Sequence, residues 1–270
     1  MNIQDIINLY NEGKSLSFIA NKYNTYGAKI KKILIANNIT IRTRAEQNKI
    51  TNQARGKKVN HNYFDKIDSP QKAWLLGFIA ADGSISSNRN QIKIGLSSVD
   101  REILEQIQKE LNSEREIIDY ETNQGFKISE LTWSSENQKK QLVKYGIVPN
   151  KTYKGMFLPK FKNINYQLAY MLGYYDGDGC FKNDGTYCRM EICSYDIHIL
   201  EDFSNLIQNT LSISKSVYKD KNRKNYYTLT YSTKNAIQIL DYLYEVMKDG
   251  FYLQRKYGKY QKWLKENNRI

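Results

Sequence analysis

Two aspartates 96 positions apart close nearly the same line. Residues 73–82 read AWLLGFIAAD and residues 169–178 read AYMLGYYDGD, and each is followed by glycine. Small residues (Gly77, Ala80 and Ala81; Gly173 and Gly177) let two helix backbones approach closely. If the copies pack together, Asp82 and Asp178 meet near the negative ends of two helices, where like charges repel. A hard divalent cation that keeps part of its water, above all Mg²⁺, with Mn²⁺ as a substitute, removes that conflict. A cation beside a basic surface suits phosphodiester hydrolysis, in which it activates water and stabilises the leaving oxygen. His61 and His198 lack ligand spacing, and Cys180, Cys188 and Cys193 are an odd set suited to reduced thiols rather than to zinc.

The elements that must hold these acids are themselves repeated. Shifted by 96 without a gap, positions 73–111 keep ten identities in 39, among them Ser98 on Ser194, Asp100 on Asp196, and the ILE run at 103–105 on that at 199–201. Each copy predicts a helix (71–81, 167–177), two strands, an amphipathic helix (100–111, 196–211), two more strands (115–121 and 126–133; 214–220 and 225–232) and a last helix (136–145, 235–247). Ile92, Ile94 and Leu96, and again Cys188, Met190 and Ile192, alternate with polar neighbours. Each sheet therefore has an apolar face and a polar face with basic groups. The fold class is α+β, two pseudo-symmetric αββαββα halves over 61–165 and 166–270, preceded by a small all-α segment. Most of the 22 tyrosines fit sheet packing better than base stacking.

The net charge of +13 points to a polyanion before a membrane surface or a small-molecule substrate. The surplus is concentrated in residues 1–72, with 13 basic against 5 acidic residues. No apolar run is long enough to span a bilayer, and the N-terminus looks like neither a signal nor a transit peptide. A cytoplasmic setting is expected.

The two lines resemble the LAGLIDADG motif of homing endonucleases in their single-chain, two-motif form, over residues 60–262. The lead-in NYFDKIDSPQKAWLLGFIAADGS is similar to the start of phage and bacterial members. The resemblance implies a monomeric, site-specific double-strand DNA endonuclease. Its products would carry 5′-phosphates, 3′-hydroxyls and short 3′ overhangs, and its gene would lie in or beside a mobile intron. The resemblance further implies a nucleoid-associated setting in a bacterial or phage-infected host, with an organelle-encoded origin left open. Asp82 and Asp178 would be catalytic and metal-ligating, with the carbonyls of Ala81 and Gly177 helping. The earlier motif acid, structural in the family, is Asp176 in the second copy and Ala80 in the first. The basic residue near each site would be Lys151 and Lys256, with Lys154 and Arg255 as rivals. The same scaffold also serves as an intron-encoded RNA maturase or a non-cleaving DNA-binding regulator. An intein is disfavoured, because no splicing segment precedes the first motif.

The polar sheet faces would form a saddle along the major groove. Gln91, Lys93, Arg189, Thr228 and Thr230 are candidate base readers, and Lys221, Arg223 and Lys224, with Lys219, meet phosphates from a hairpin tip. Residues 1–41 predict three helices that resemble a helix-turn-helix of the resolvase type. Thr25 caps the third, which offers Tyr26, Lys29, Lys31 and Lys32 to DNA. Residues 42–60 read as a flexible basic linker with Arg42, Arg44, Arg55, Lys57 and Lys58 on phosphate.

Overall fold

The computed structural model describes residues 2–47, 50, 58–151, 155–248 and 251–269. The chain divides into two compact units, Met1–Lys57 and Lys58–Ile270.

The first unit holds α1 (Ile3–Asn11), α2 (Leu16–Lys22) and α3 (Gly27–Ala36) around Ile6, Tyr10, Ile19, Ile30 and Leu34. Asn2 and Ser15 cap the first two helices through their side chains. The expected cap at Thr25 is not made. Tyr26 holds the N-cap position without a side-chain bond, and the Thr25 amide closes the preceding turn on the Ala20 carbonyl. The linker reading also needs correction. Residues 44–47 are helical, because Thr43 and Glu46 form a reciprocal capping box.

The second unit is built on α4 (Pro70–Ala81) and α7 (Ile164–Asp178), which are buried almost all round. Ser69 caps α4 with Pro70 in its first turn, and Asn163 caps α7. A Cβ on Gly77 would lie 2.0 Å from the Tyr170 carbonyl oxygen, and one on Gly173 would lie 2.0 Å from that of Trp74. The crossing is thus two-fold in its detail, since Trp74 and Tyr170 are themselves 96 apart. Only glycine permits so close an approach.

Each helix leads into a four-stranded antiparallel sheet. In the first half these strands are β1 (Gly83–Ile85), β2 (Gln91–Ser97), β3 (Ile117–Glu121) and β4 (Lys127–Ser134), in the order β1-β2-β4-β3. In the second they are β5 (Gly179–Asp184), β6 (Tyr187–Ser194), β7 (Tyr218–Lys219) and β8 (Tyr227–Ser232), in the order β5-β6-β8-β7. The inner faces join one hydrophobic core with α5 (Arg101–Glu110), α6 (Glu136–Lys144), α8 (Ile197–Leu211) and α9 (Thr233–Val246). The α+β reading with two repeated halves is correct. The strand expected over 214–220 shrinks to Tyr218–Lys219: on its far side the Asp220 carboxylate accepts the amides of Asn222 and Arg223 and turns the chain, and ahead of it the Lys215 carbonyl accepts from the Ser204 hydroxyl of α8 instead of from a neighbouring strand.

Two features were not anticipated. A further helix, α10 (Gln254–Glu266), carries Lys256 and buries Tyr260, Trp263 and Leu264 on the same face. The gapless repeat also conceals a two-residue slip. Gly83 pairs with Ile94, but its counterpart Gly179 pairs with Ile192, not with Met190. The second hairpin is longer. The first half restores the count with a 3₁₀ turn at Ser98–Asp100, where the second half enters α8 directly after Asp196. An even slip leaves each side chain on its original face.

Candidate active site

Asp82 is the C-cap of α4, and Asp178 is the last residue of α7. The helix crossing brings them together as the motif spacing suggests. A side chain on Gly177 would collide with the Ala81 Cβ at 2.3 Å and crowd the Asp82 carboxyl carbon at 3.3 Å. Glycine there clears the space between the two acids. Both side chains reach solvent, yet the surrounding protein desolvates them. Burial, and then the negative charge of Asp82, pushes Asp178 up to about 6, against Lys151, Lys256 and a hydrogen bond from Tyr174. Burial also raises Asp82, against Lys256 and Lys151. Two carboxylates so placed are electrostatically frustrated without a cation.

Both candidate lysines converge on this point, in a role that the motif did not announce. Lys151 Nζ donates to the carbonyls of Ile79, at 2.7 Å, and Gly83. Lys256 Nζ donates to Tyr175 and Asp176 at 2.7 Å, Gly179 at 2.5 Å and Gly177 at 3.3 Å. Each ammonium therefore plugs the carbonyl end of its own motif helix, where orphan acceptors and the helix dipole favour a cation. Desolvation lowers both lysines, Lys151 to about 8, against the pull of nearby aspartates. The electrostatics cross the interface. The leading favourable charge on Asp82 is Lys256 from the second half, and that on Asp178 is Lys151 from the first. Each site is thus composite.

The segments that carry these lysines are strapped across the pseudo-dyad. Asp100, in the first half, takes the guanidinium of Arg255 through contacts of 2.7, 3.0 and 3.1 Å. This fixes Arg255 as an anchor, away from the catalytic role for which it was a rival. Its counterpart Asp196 accepts the Met156 amide at 2.5 Å, and Asp202 accepts that of Leu158 at 2.9 Å. Phe251 stacks on Trp74, as Phe161 leans on Tyr170. Asp176 is fully buried and pushed up to about 7 by burial. It accepts from the Trp74 indole at 3.0 Å and the Leu253 amide at 3.2 Å, and so ties α7 to both halves. Ala80 provides no such tie. Lys154 lies outside the described residues.

Among the described residues no three His, Cys, Asp or Glu side chains gather as metal ligands. A cation at this point would be held by two carboxylates, carbonyl oxygen and water. That oxygen-only set fits Mg²⁺, which binds through one or two carboxylates and keeps several waters. The Gly177 carbonyl, expected to help, is shared with Lys256.

The open sheet faces hold a surprise. Sequence reading makes them polar and basic, but they are charge-balanced. Lys93 is 3.0 Å from Glu130, Lys182 is 2.8 Å from Glu191, and Arg189 is 2.5 Å from Asp184. Gln91 is half-buried beside them. Thr228 lies against the Cys193 thiol and Thr230 against the Glu191 carboxylate. The acids Glu130 and Glu191 were overlooked, although strand alternation places both on the face of Lys93 and Arg189. Lys219, Lys221, Arg223 and Lys224 are exposed around the β7–β8 turn. In the first unit Lys29, Lys31 and Lys32 are exposed on α3, and Arg44 is exposed. Arg42 departs from its expected place on phosphate. It stacks on Tyr10 and donates to the Tyr10 and Lys14 carbonyls at 2.7 and 3.0 Å, which commits its guanidinium to the helical unit. Lys58 is exposed, and its backbone pairs with Glu114 in the second unit. Arg55 and Lys57 lie outside the described residues.

No helix among the described residues is long and apolar enough to cross a membrane. A family profile described as a LAGLIDADG-like domain matches residues 69–145 and again 165–244, two segments that begin 96 residues apart and together cover more than half the chain. An uncharacterised protein of Methanocaldococcus jannaschii, MJ0314, is 28% identical over 209 residues, covering 72% of each chain. Among solved structures, mesophilic variants of the homing endonuclease I-DmoI align at 17% identity and TM-score 0.45, covering 68% of this chain and 90% of theirs. The meganuclease I-SmaMI bound to uncleaveable DNA aligns at 13% and 0.45, covering 73% and 89%. The N-terminal LAGLIDADG domain of WhiA aligns at 15% and 0.44, covering 69% and 86%.

Proposed function

The chain belongs to the LAGLIDADG-like domain family, and from that premise we propose that it is a monomeric, site-specific double-strand DNA endonuclease dependent on Mg²⁺. The observation that carries the reading is the pair of desolvated, mutually repelling carboxylates, Asp82 and Asp178, at dyad-related helix ends. A composite lysine serves each of them. When bound, a divalent cation supplies activated water and charge stabilisation at the phosphodiester. Asp82 and Asp178 hold and orient it. Lys151 and Lys256 fix the helix ends that aim the acids and offset phosphate charge from beneath. The sheets grip the duplex on both sides of the cut, and the β7–β8 turn and the helical unit add phosphate contacts.

Incubation of the chain with a randomised duplex pool and Mg²⁺ should give one linear cut in a defined sequence. Asp82→Asn or Asp178→Asn should abolish double-strand cutting while leaving binding largely intact. Losing a metal ligand removes several kcal/mol of transition-state stabilisation, at least about a thousandfold in rate. Full cutting by either variant would overturn the assignment. A second reading, a DNA- or RNA-binding module without cleavage, is favoured by one observation: Lys256 already engages the Gly177 carbonyl. Specific binding with no cut by the unaltered chain would select it.

A further inference from the structure

The motif glycines fix which positions on the two open faces are equivalent. Gly83 follows Asp82 as Gly179 follows Asp178, and the next residue of each, Ser84 or Cys180, begins one row across its sheet. In the first half that row runs Ser84–Lys93–Thr132. In the second it runs Cys180–Glu191–Thr230. The flanking residues are a near-isosteric pair, serine and cysteine, and a threonine common to both. The central residue changes from a cation to an anion. Direct alignment of the repeat hides this, because it places Lys93 on Arg189.

Neither charge stands alone. Lys93 pairs with Glu130 from β4, and Glu191 pairs with Lys182 from β5. The second member comes from a central strand, β4, in one sheet and from an edge strand, β5, in the other, so the pairs are not superposable. Locally neutral pairs contribute little to holding a polyanion, since affinity from counterion release needs unpaired positive charge. An acidic group facing phosphate is unfavourable unless a donor meets it. In the major groove the only base-edge donors are the amino groups of cytosine and adenine. Beside its amino group adenine carries the N7 acceptor, which repels a carboxylate, whereas cytosine carries no acceptor there. A lysine makes the opposite choice and takes the O6 and N7 acceptors of guanine.

We infer that Lys93 and Glu191 read dyad-related positions of the DNA target with opposite preference, guanine in the half-site under the first sheet and cytosine in the half-site under the second, so that the target departs from a palindrome at that pair. The inference rests on the DNA-cutting reading above and concerns what that saddle selects.

The test is selection of bound duplexes from a randomised pool without divalent metal, by the full chain and its variants. The unaltered chain should enrich guanine at one position and cytosine at its dyad mate, when each half-site is read outward from the centre on its own strand. Enrichment should be roughly 5- to 150-fold over the other bases. Glu191→Gln keeps shape and removes the charge, and should move the second preference to adenine, the base that a carboxamide reads. Lys93→Gln should do the same at the first. Glu191→Lys should move the second preference to guanine and make the pair symmetric. The inference is overturned if a defined sequence is enriched with the same base at both positions, or if Glu191→Gln, still folded by circular dichroism, leaves every base preference unchanged. Recovery of no defined sequence by the unaltered chain would instead overturn the DNA-cutting reading, and this inference with it.

Discussion

The two halves of the second unit share a motif but not a construction. The first half closes its hairpin early, leaves a wide loop at residues 87–90 and inserts a 3₁₀ turn before α5. The second half extends its hairpin to Asp184 and Tyr187, turns in two residues and enters α8 without that insertion. The two changes cancel in length, so repeat alignment needs no gap even though the sheet rows have moved by two. Sequence identity is retained at the crossing glycines and the terminal acids, and again from Ser98 through the ILE run at 103–105, whereas the hairpin between them, residues 84–97, keeps none. The equivalence of the halves is thus anchored on either side of the hairpin and not within it.

The strongest challenge to the dyad is to fill its glycines. Gly77→Val and Gly173→Val should each cost more than about 3 kcal/mol, because the obstacle in both cases is a backbone carbonyl that cannot step aside. Urea unfolding of the two variants should give similar losses. A loss at one position alone would break the two-fold description.

The straps should separate the halves next. Arg255→Ala leaves Asp100, whose side chain is only 5% exposed, without its partner. Stranding a buried charge costs about 3 kcal/mol. Asp196→Ala removes a carboxylate from the part-buried Met156 amide and the exposed His198 amide but strands no charge, and should cost only about 1 kcal/mol. Equal losses would show that the two lysine segments are held alike despite their different chemistry.

Much of this core was legible. Asp82 and Asp178 announced themselves by spacing, and the small residues before them predicted a close helix pair, because both signals are local and repeated. Lys151 and Lys256 were found by position, but not their bonds to the helix-end carbonyls, which depend on how far α4 and α7 run. Helix α10 was visible in principle, since Lys256, Tyr260, Trp263 and Leu264 have helical spacing, but the Gly258 interruption and the high charge masked it. Strand alternation puts Glu130 and Glu191 on the face of Lys93 and Arg189, but it gives the face of a residue and not its row, so the ion pairs that balance that face were not legible. Arg42 was assigned to phosphate on charge alone, and nothing local says that Tyr10 will lie beneath it.

The acids also differ in degree, which a pH series sharpens. Asp178 is raised to about 6 from an ordinary value of 3.8, so the folded state holds its proton more tightly than the unfolded chain does. Ionising it therefore opposes folding. The penalty is absent below about pH 4, grows between pH 4 and 6, and is fully present at neutral pH. In the presence of a chelator, Asp178→Asn should raise the melting temperature at pH 7 and lose that advantage on acidification to pH 4. Asp82→Asn should act in the same direction. Added Mg²⁺ should shrink the difference between wild type and variant by relieving the same repulsion. A variant that melts lower at pH 7 than at pH 4, relative to wild type, would reverse the assigned sign.

The smallest effect lies in the hairpin turns and probes the slip itself. Gly185 opens the tight second turn at φ 73°, with its amide on the Asn183 side chain and no neighbour within 4 Å of a Cβ added there. Gly185→Ala should therefore cost about 1 kcal/mol from backbone conformation alone, with no steric contribution. The first hairpin has no such residue. Lys139 closes its loop instead, donating to the carbonyls of Ser86, Ser87 and Arg89 from 2.7 to 3.2 Å. Lys139→Met should cost a similar amount but loosen only that loop, which hydrogen exchange at residues 87–90 would register. If Gly185→Ala were neutral, the turn would not require a left-handed residue, and a hairpin two residues shorter could form in the second half as it does in the first. Glu191 would then lose its registry with Lys93, so this modest measurement also bears on which side chains the two sheets present at equivalent places.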